Sequence, residues 1–358
     1  MATHSIAVIG GDGVGPEVTA EAKKVLEAMS RRPGAPQFRF TEYPWGSHYY
    51  RETGRMMPED GLDQLRDHDA LLVGAVGDPS IPDHITLNGL LLPIRRRFDQ
   101  GVCYRPAYLY EGVPSPLAGK KPGDIDIVTF RENTEGEYAN IGGHLYQDTE
   151  SEVAVQTSVM TYRGTERIIR AAFEYASRPE RRGKVTSVTK SNAQGFTMVF
   201  WDRVFKKVAA EFPRIETESL LVDRACMDFV RRPESFDVVV ASNLFGDILT
   251  DIGAIITGSM GLAPSANIDP ERRYPSMFEP VHGAAFDIMG KGVANPLGAI
   301  LAAGLMLEHL EWRAGVDAIQ AAVKQNLKEA RVRTPDLGGN AGTAQVGDEI
   351  ARLVAGST

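Results

Sequence analysis

Residues Asp237–Asp251, DVVVASNLFGDILTD, carry the pattern from which the rest of the chain can be read. The apolar run DVVVAS reads as a buried strand. NLFGDILTD, with Leu244, Phe245, Ile248 and Leu249, reads as a helix capped by Asn243. Asp247 and Asp251 then stand four apart, which puts both carboxylates on one helix face, a turn from each other. Like charges so placed repel unless a cation sits between them. Mg²⁺ or Mn²⁺ suits such oxygens and leaves coordination places for water and substrate. The plain alternative is a solvated face with two unrelated acids. The position just past the carboxyl end of a buried strand, where open α/β sheets keep their sites, favours the metal.

Composition bounds what surrounds this stretch. A chain of 358 residues is long enough for two domains or one large one, and 43% hydrophobic with 24% charged residues is the make-up of a soluble globular protein. The net charge is −8 and the densest basic run is Arg95–Arg97, which argues against nucleic acid as a partner. Cys103 and Cys226 lie far apart without a CxxC, so neither a disulfide framework nor a zinc site is expected, and both read as buried thiols of a reducing cytoplasm. The N-terminal apolar run is too short for a signal peptide. Ala299–Leu307, AILAAGLML, falls short of the roughly 20 residues that span a bilayer, so no membrane partner is expected.

Outward from the opening stretch, strands and helices alternate. SIAVIG (5–10) reads as the first strand and residues 16–30 as a helix with Pro16 in its first turn. GGDGVGP between them invites a dinucleotide fingerprint, but the third glycine position is Pro16, so a tight glycine turn is expected instead. Strands at 38–43 and 69–77 follow, with a helix at 58–65 between them. Residues 83–100 read as a loop and then a helix bearing Arg95. Arg105 and Arg131 each lie in apolar surroundings at element ends. Three arginines at strand and helix ends, each embedded in apolar sequence, suit bidentate recognition of carboxylates, although a lone arginine is more often a surface ion-pair partner. Lys190 and Asp223 end two further strands, where either functional side chains or a structural ion pair would sit.

At this point the chain resembles the metal-dependent β-decarboxylating dehydrogenases, the family of the isocitrate, isopropylmalate, tartrate and D-malate enzymes. The resemblance rests on FRENTEGEY (130–138), VTKSN (188–192), NLFGDILTD (243–251) and EPVHGAAFDIMGKGVANP (279–296), in the family's order, and runs to TPDLGGNAGT (334–343). GRMMPEDGLDQL, VPSPLAGKKPGDID, RENTEGEY and LAPSANIDPER look most like the tartrate and D-malate decarboxylating enzymes. The resemblance implies an α/β, isopropylmalate dehydrogenase-like two-domain fold with a large mixed sheet flanked by helices, not a Rossmann fold. Residues 1–100 and 259–358 would form a discontinuous NAD-binding domain, and 101–258 the substrate, metal and dimerisation domain. It also implies a homodimer whose sites are completed across the interface, with Lys190 and Asp223 coming from the partner of the subunit that supplies Asp247 and Asp251.

The implied chemistry is oxidation and decarboxylation of a (2R)-hydroxy acid such as D-malate or tartrate. Asp223, Asp247 and Asp251 would hold Mg²⁺ or Mn²⁺, and Arg95, Arg105 and Arg131 would clamp the carboxylates. Lys190 would take the hydroxyl proton and Tyr138 would protonate C3. Asn88, Asn192, His282, Gly283, Ala284, Ala285, Asp287, Ile288 and Asn295 would bind the cofactor. The Asp287 carboxylate accepts from a ribose 2′-hydroxyl and repels a 2′-phosphate, which favours NAD over NADP. A requirement for K⁺ stays open. 3-Isopropylmalate is the rival substrate, because Leu91 and Leu92 could floor an apolar pocket, while Asn88 stands where isopropylmalate enzymes carry glutamate. A non-catalytic regulatory subunit would have lost part of the acid, lysine and tyrosine set, which is complete here. A plain binding protein explains neither the paired aspartates nor the three arginines.

Overall fold

The computed structural model describes residues 2–356. Its strands in chain order are β1 (Thr3–Gly11), β2 (Gln37–Glu42), β3 (Ala70–Ala75), β4 (Val102–Tyr108), β5 (Asp126–Glu132), β6 (Gly136–Leu145), β7 (Val153–Val159), β8 (Lys184–Thr189), β9 (Glu216–Leu221), β10 (Val238–Ala241), β11 (Pro264–Ile268) and β12 (Ser276–Pro280). Two units divide them. One comprises Met1–Gln100, Arg105–Ile125 and Gly253–Thr358, the other Gly101–Tyr104 and Asp126–Ile252.

In the first unit the strands run β2-β1-β3-β12-β11. All neighbours are parallel except β11 and β12, whose antiparallel pairing makes the sheet mixed. β3 is buried along its whole length, as a strand covered on both faces must be. Helix Leu297–His309 is apolar all round and is buried from Leu297 to Leu307. The glycine turn leaves β1 with Gly11 and Gly13 at positive φ, 71° and 56°. The Asp12 carboxylate inside the turn accepts from the Ser47 N–H and hydroxyl and from the Gly77 N–H, at 2.7, 2.7 and 2.9 Å. It is a brace between loops, in keeping with the missing third glycine.

Residues 83–97 are helical from the start, without the expected loop. Leu87–Leu91 forms a π turn, in which the Leu92 N–H reaches back five residues to the Leu87 carbonyl. Pro93 has no N–H to give Gly89, so the regular ladder cannot run through this point.

The second unit orders its strands β5-β10-β8-β9, all parallel. Parallel strands present their carboxyl ends to one edge. Arg131, Lys190, Asp223 and the Asn243–Ile256 helix therefore emerge together, from β5, β8, β9 and β10 in turn. A separate antiparallel hairpin, β6 with β7, pairs Ile141 with Thr157 and Leu145 with Val153.

The unit boundaries differ from the division at residues 101 and 258. Residues 105–125 group with the first unit, where Arg105 Nε donates to Ser265 Oγ at 3.2 Å and Ser115 Oγ to the Ile256 carbonyl at 2.6 Å. Among the described residues no helix is long and apolar enough to cross a membrane.

Candidate active site

Arg131 ends β5 and is 2% exposed. Its side chain can lie this deep because Gly246 stands opposite: a Cβ there would meet the Arg131 Cβ at 2.6 Å and Cγ at 2.7 Å. The guanidinium donates through Nε and Nη2 to Asn243 Oδ1 at 3.0 and 2.6 Å, and through Nη1 to Asp247 Oδ1. Tyr138 donates its hydroxyl to the other Asp247 oxygen at 2.9 Å, and its ring lies 5.2 Å from the guanidinium carbon. One carboxylate thus gathers a buried cation and a phenol.

Asn243 was expected to cap the helix it opens, but its amide is spent elsewhere: Oδ1 on Arg131, and Nδ2 on the Glu135 carbonyl at 3.2 Å. The Leu244 N–H is served by Glu137 Oε2 at 3.1 Å, while Ser242 Oγ donates to Glu137 Oε1 at 2.9 Å. The neighbouring glutamates are spent as fully. Glu132 accepts from the Thr134 N–H and hydroxyl and from the Glu135 N–H, each at 2.9 Å. Burial raises its pKa above the ordinary carboxylate range. Glu135 accepts from the Thr161 N–H and hydroxyl at 2.8 and 2.5 Å, at the start of helix Tyr162–Ala176.

Lys190 and Asp223 form a second pair, Nζ to Oδ1 at 2.5 Å. The lysine's hydrogen bond holds the exposed Asp223 carboxyl below its usual pKa. Asp251 is exposed, one turn beyond Asp247. Asp223, Asp247 and Asp251 offer the hard oxygens a Mg²⁺ or Mn²⁺ site needs. Among the described residues of one chain, however, no three His, Cys, Asp or Glu side chains stand close enough to hold a metal ion. The chain keeps Asp223 with Lys190, and Asp247 with Arg131 and Tyr138.

In the first unit, Arg95 is 4% exposed and donates to Glu279 Oε1 at 2.8 Å, while its Nε is buried without a partner among the described residues. Arg105 is 8% exposed and donates Nε to Ser265 Oγ at 3.2 Å. All three expected arginines are therefore buried, against the ordinary habit of the residue.

The His282–Asn295 loop follows β12. It lines a cavity of about 290 Å³ with Val14, Met260, Ile288, Asn295 and Asp336 among the walls. Burial holds the His282 imidazole below its usual pKa, and its Nε2 is buried with no partner among the described residues. Ala284 gives its carbonyl to the Val14 N–H at 2.8 Å, and Ala285 adopts φ 43°. Asn295 Nδ2 donates to Asp336 at 2.9 Å. An apolar cavity with an orphaned imidazole nitrogen fits the flat, polar-edged adenosine half of a dinucleotide. Asp287 and Gly283 are exposed. Asn88 bonds the His84 carbonyl at 2.7 Å and keeps a buried, unpartnered Oδ1 among the described residues. Asn192 is exposed in the turn after β8, in the other unit.

Glu137, Glu279, Asp336 and Asn243's grip on Arg131 were not found from sequence. The acids of RENTEGEY were a visible signal; the partners of Glu137, more than a hundred positions away, were not.

The isocitrate/isopropylmalate dehydrogenase family matches residues 5–350. The D-malate dehydrogenase [decarboxylating] of Escherichia coli K12 is 49% identical over 362 residues, covering 99% of each chain. The tartrate dehydrogenase/decarboxylase of Pseudomonas putida is 47% identical, covering 99% of this chain and 100% of its own. The crystal structure of isocitrate dehydrogenase from Methylococcus capsulatus superposes with a TM-score of 0.88 at 36% identity, covering 98% of this chain and 99% of that one.

Proposed function

The chain belongs to the isocitrate/isopropylmalate dehydrogenase family, and we propose from that premise that it oxidises and decarboxylates a (2R)-hydroxy dicarboxylic acid, D-malate or tartrate. The convergence of Arg131 and Tyr138 on Asp247 is the observation that carries this reading. With D-malate, hydride leaves C2 for NAD⁺ and the C3–C4 bond breaks, its electron pair staying on C3, which takes a proton. The products are pyruvate, CO₂ and NADH.

When bound, the divalent ion supplies a Lewis acid for the substrate oxygens and the nicotinamide accepts the hydride. Asp247 and Asp251, with Asp223 of the partner subunit, hold the ion. Arg95, Arg105 and Arg131 bind the substrate carboxylates and fix the C2 hydrogen in direction. Lys190 accepts the hydroxyl proton, and Tyr138 donates the proton that C3 receives. His282, Gly283, Ala284, Ala285, Ile288 and Asn295 seat the adenosine half, Asn88 and Asn192 contact the rest of the cofactor, and Asp287 selects NAD⁺ against NADP⁺.

A homodimer suits the second unit, where Leu145, Val155, Met227, Val230 and Ile248 are exposed at 61, 54, 58, 49 and 44%. A cytoplasmic location, with its NAD pool, goes with the reading. Of the two leucines that could floor a pocket for 3-isopropylmalate, Leu92 is 3% exposed and the half-buried Leu91 packs on the core cluster of Ile94, Phe98 and Met277, which supports the smaller substrates.

The test is a panel of D-malate, meso-tartrate, L-tartrate and 3-isopropylmalate with NAD⁺ and Mn²⁺. D-malate or a tartrate should give NADH and CO₂, and chelation should abolish both. Preference for 3-isopropylmalate, equal efficiency with NADP⁺, or turnover after exhaustive chelation would overturn the reading.

A further inference from the structure

The 131–138 segment is joined to the Asn243–Ile256 helix at three heights. At the bottom Arg131 grips Asn243, and one turn up Tyr138 meets Asp247. Between them Glu137 spans the helix start, one oxygen on Ser242 Oγ and the other on the Leu244 N–H. Ser242 is 1% exposed, so its hydroxyl is buried as well as bonded. Helices bind carboxylates at their N-termini because the first N–H groups lack intrahelical partners and the dipole favours negative charge. Here the carboxylate comes from another segment, and the residue that supplies it precedes Tyr138 directly in the chain. Two oxygens bonded to two fixed donors leave the backbone at 137 little freedom. The phenol one residue on then has its height along the helix set before it meets Asp247.

We propose that Glu137 is a positioning residue: by clamping the start of the Asn243–Ile256 helix it sets the Tyr138 hydroxyl against Asp247, and so aims the proton donor of the reaction. The inference rests on the role given to Tyr138 above. Glu137 touches neither substrate nor cofactor in this account and acts through its neighbour.

Glu137→Gln tests it. Glutamine keeps one acceptor, so either Ser242 or the Leu244 N–H faces an amide nitrogen instead. Turnover of D-malate should fall on the order of ten- to a hundred-fold, the loss expected of a misplaced but intact catalytic group. KM for NAD⁺ should stay within about two-fold, since the bonds of Glu137 run to Ser242 and Leu244 in its own unit. In the Tyr138→Phe background the same substitution should add almost nothing, because the group it aims is gone. A plain helix-capping role predicts an equal loss in both backgrounds, and that result would overturn the proposal.

A second measurement does not depend on turnover. With fluorotyrosine incorporated, the Tyr138 resonance, assigned by its absence in Tyr138→Phe, should move in Glu137→Gln. An unmoved resonance would also overturn the proposal. If the wild-type enzyme turned over none of the panel while the resonance moved, the reading of function would fail and the clamp would stand.

Discussion

The four charged side chains and the phenol of segment Arg131–Tyr138 are spent on the chain itself, whereas His282–Gly290, which follows another strand, leaves a buried imidazole nitrogen without a partner among the described residues. Arg131, Glu132, Glu135, Glu137 and Tyr138 all have named partners, drawn from the segment itself or from the starts of two helices. The second segment is fastened at its far end, where Thr343 donates to the Gly292 carbonyl at 2.8 Å and to the Ala294 carbonyl at 2.7 Å. Its near part hangs on the bond from Val14 to Ala284 and holds Ala285 in a left-handed conformation that costs on the order of 1 kcal/mol. Groups that move protons need fixed geometry before substrate arrives. A loop that wraps a cofactor can let the cofactor complete its hydrogen bonds. Damage to the first segment should therefore reach both rate and stability, and damage to the second should appear in cofactor affinity.

The largest effect falls where the first segment's bonds converge. Asp247→Asn should lower kcat/KM by about a thousand-fold or more, the scale of losing a charged group that organises the transition state. It also leaves the Arg131 guanidinium, 2% exposed, facing a neutral amide, so the melting temperature should fall as well. Tyr138→Phe and Lys190→Ala should each lose roughly a hundred-fold or more in kcat, as general acid–base groups do. Near-normal turnover in both would dissolve the distinction between the two segments, measured by steady-state kinetics at saturating NAD⁺.

Two glycines compare the segments by packing. A Cβ on Gly246 would meet Arg131 side-chain carbons at 2.6 and 2.7 Å and the Arg131 Cα at 3.2 Å. Backbone is involved, so the helix or β5 must shift. Gly246→Ala should cost about 1–3 kcal/mol, offset by up to about 1 kcal/mol of helix propensity, and lower the melting temperature by a few degrees. A Cβ on Gly283 meets nothing within 4 Å. Gly283→Ala should leave melting unchanged and act, if at all, on KM for NAD⁺. Equal melting losses would show that the second segment is packed as tightly as the first.

How much of this was legible in the sequence follows the range of each interaction. The alternation of elements, the glycine turn without a dinucleotide fingerprint and the apolar run at 299–307 are local patterns, and the structure repeats them. Pro93 stood in view, but its consequence, a π turn, depends on the helix continuing through it. Asn243 looked like a cap because local chemistry favours it there; tertiary contact won, since its Oδ1 takes two bonds from Arg131, 112 positions away. Arg95 and Glu279 meet across 184 positions, and no periodicity announces such a pair. Residues 105–125 group with the first unit through hydrogen bonds that reach as far as Ile256, which no local pattern announces.

A smaller effect concerns the exposed side of the cofactor loop. Asp287→Asn removes the charge expected to repel a 2′-phosphate while leaving a hydrogen-bonding side chain for a 2′-hydroxyl. The ratio of kcat/KM for NAD⁺ over NADP⁺ should fall by about ten-fold, the worth of one partly solvated charge. Melting and D-malate KM should hold. An unchanged ratio would mean that discrimination lies elsewhere than in this loop.

The finest test separates the segments by pH. Burial lowers the His282 pKa from the free value of 6.5, so the fold favours the neutral imidazole. Its contribution is complete above pH 6.5 and is lost as the pH falls from there toward the lowered value, because the open state then binds the extra proton. The second unit has no such early loss in its scaffold. Asp228, beneath Asp223 on the same helix, bonds Arg232 and Arg224 and has its carboxyl pulled down to about 2. That contribution persists as the pH falls to 3.8 and disappears only between there and about 2. Amide exchange at pH 7 and pH 5, corrected for intrinsic rates, should therefore show protection falling at residues 282–290 and holding at residues 222–231 and 131–138. His282→Gln should remove the fall. Equal protection of the loop at both pH values would mean that its histidine is not held neutral by the fold. The loose fastening inferred for the second segment would then have to be argued from its bond to Val14 alone.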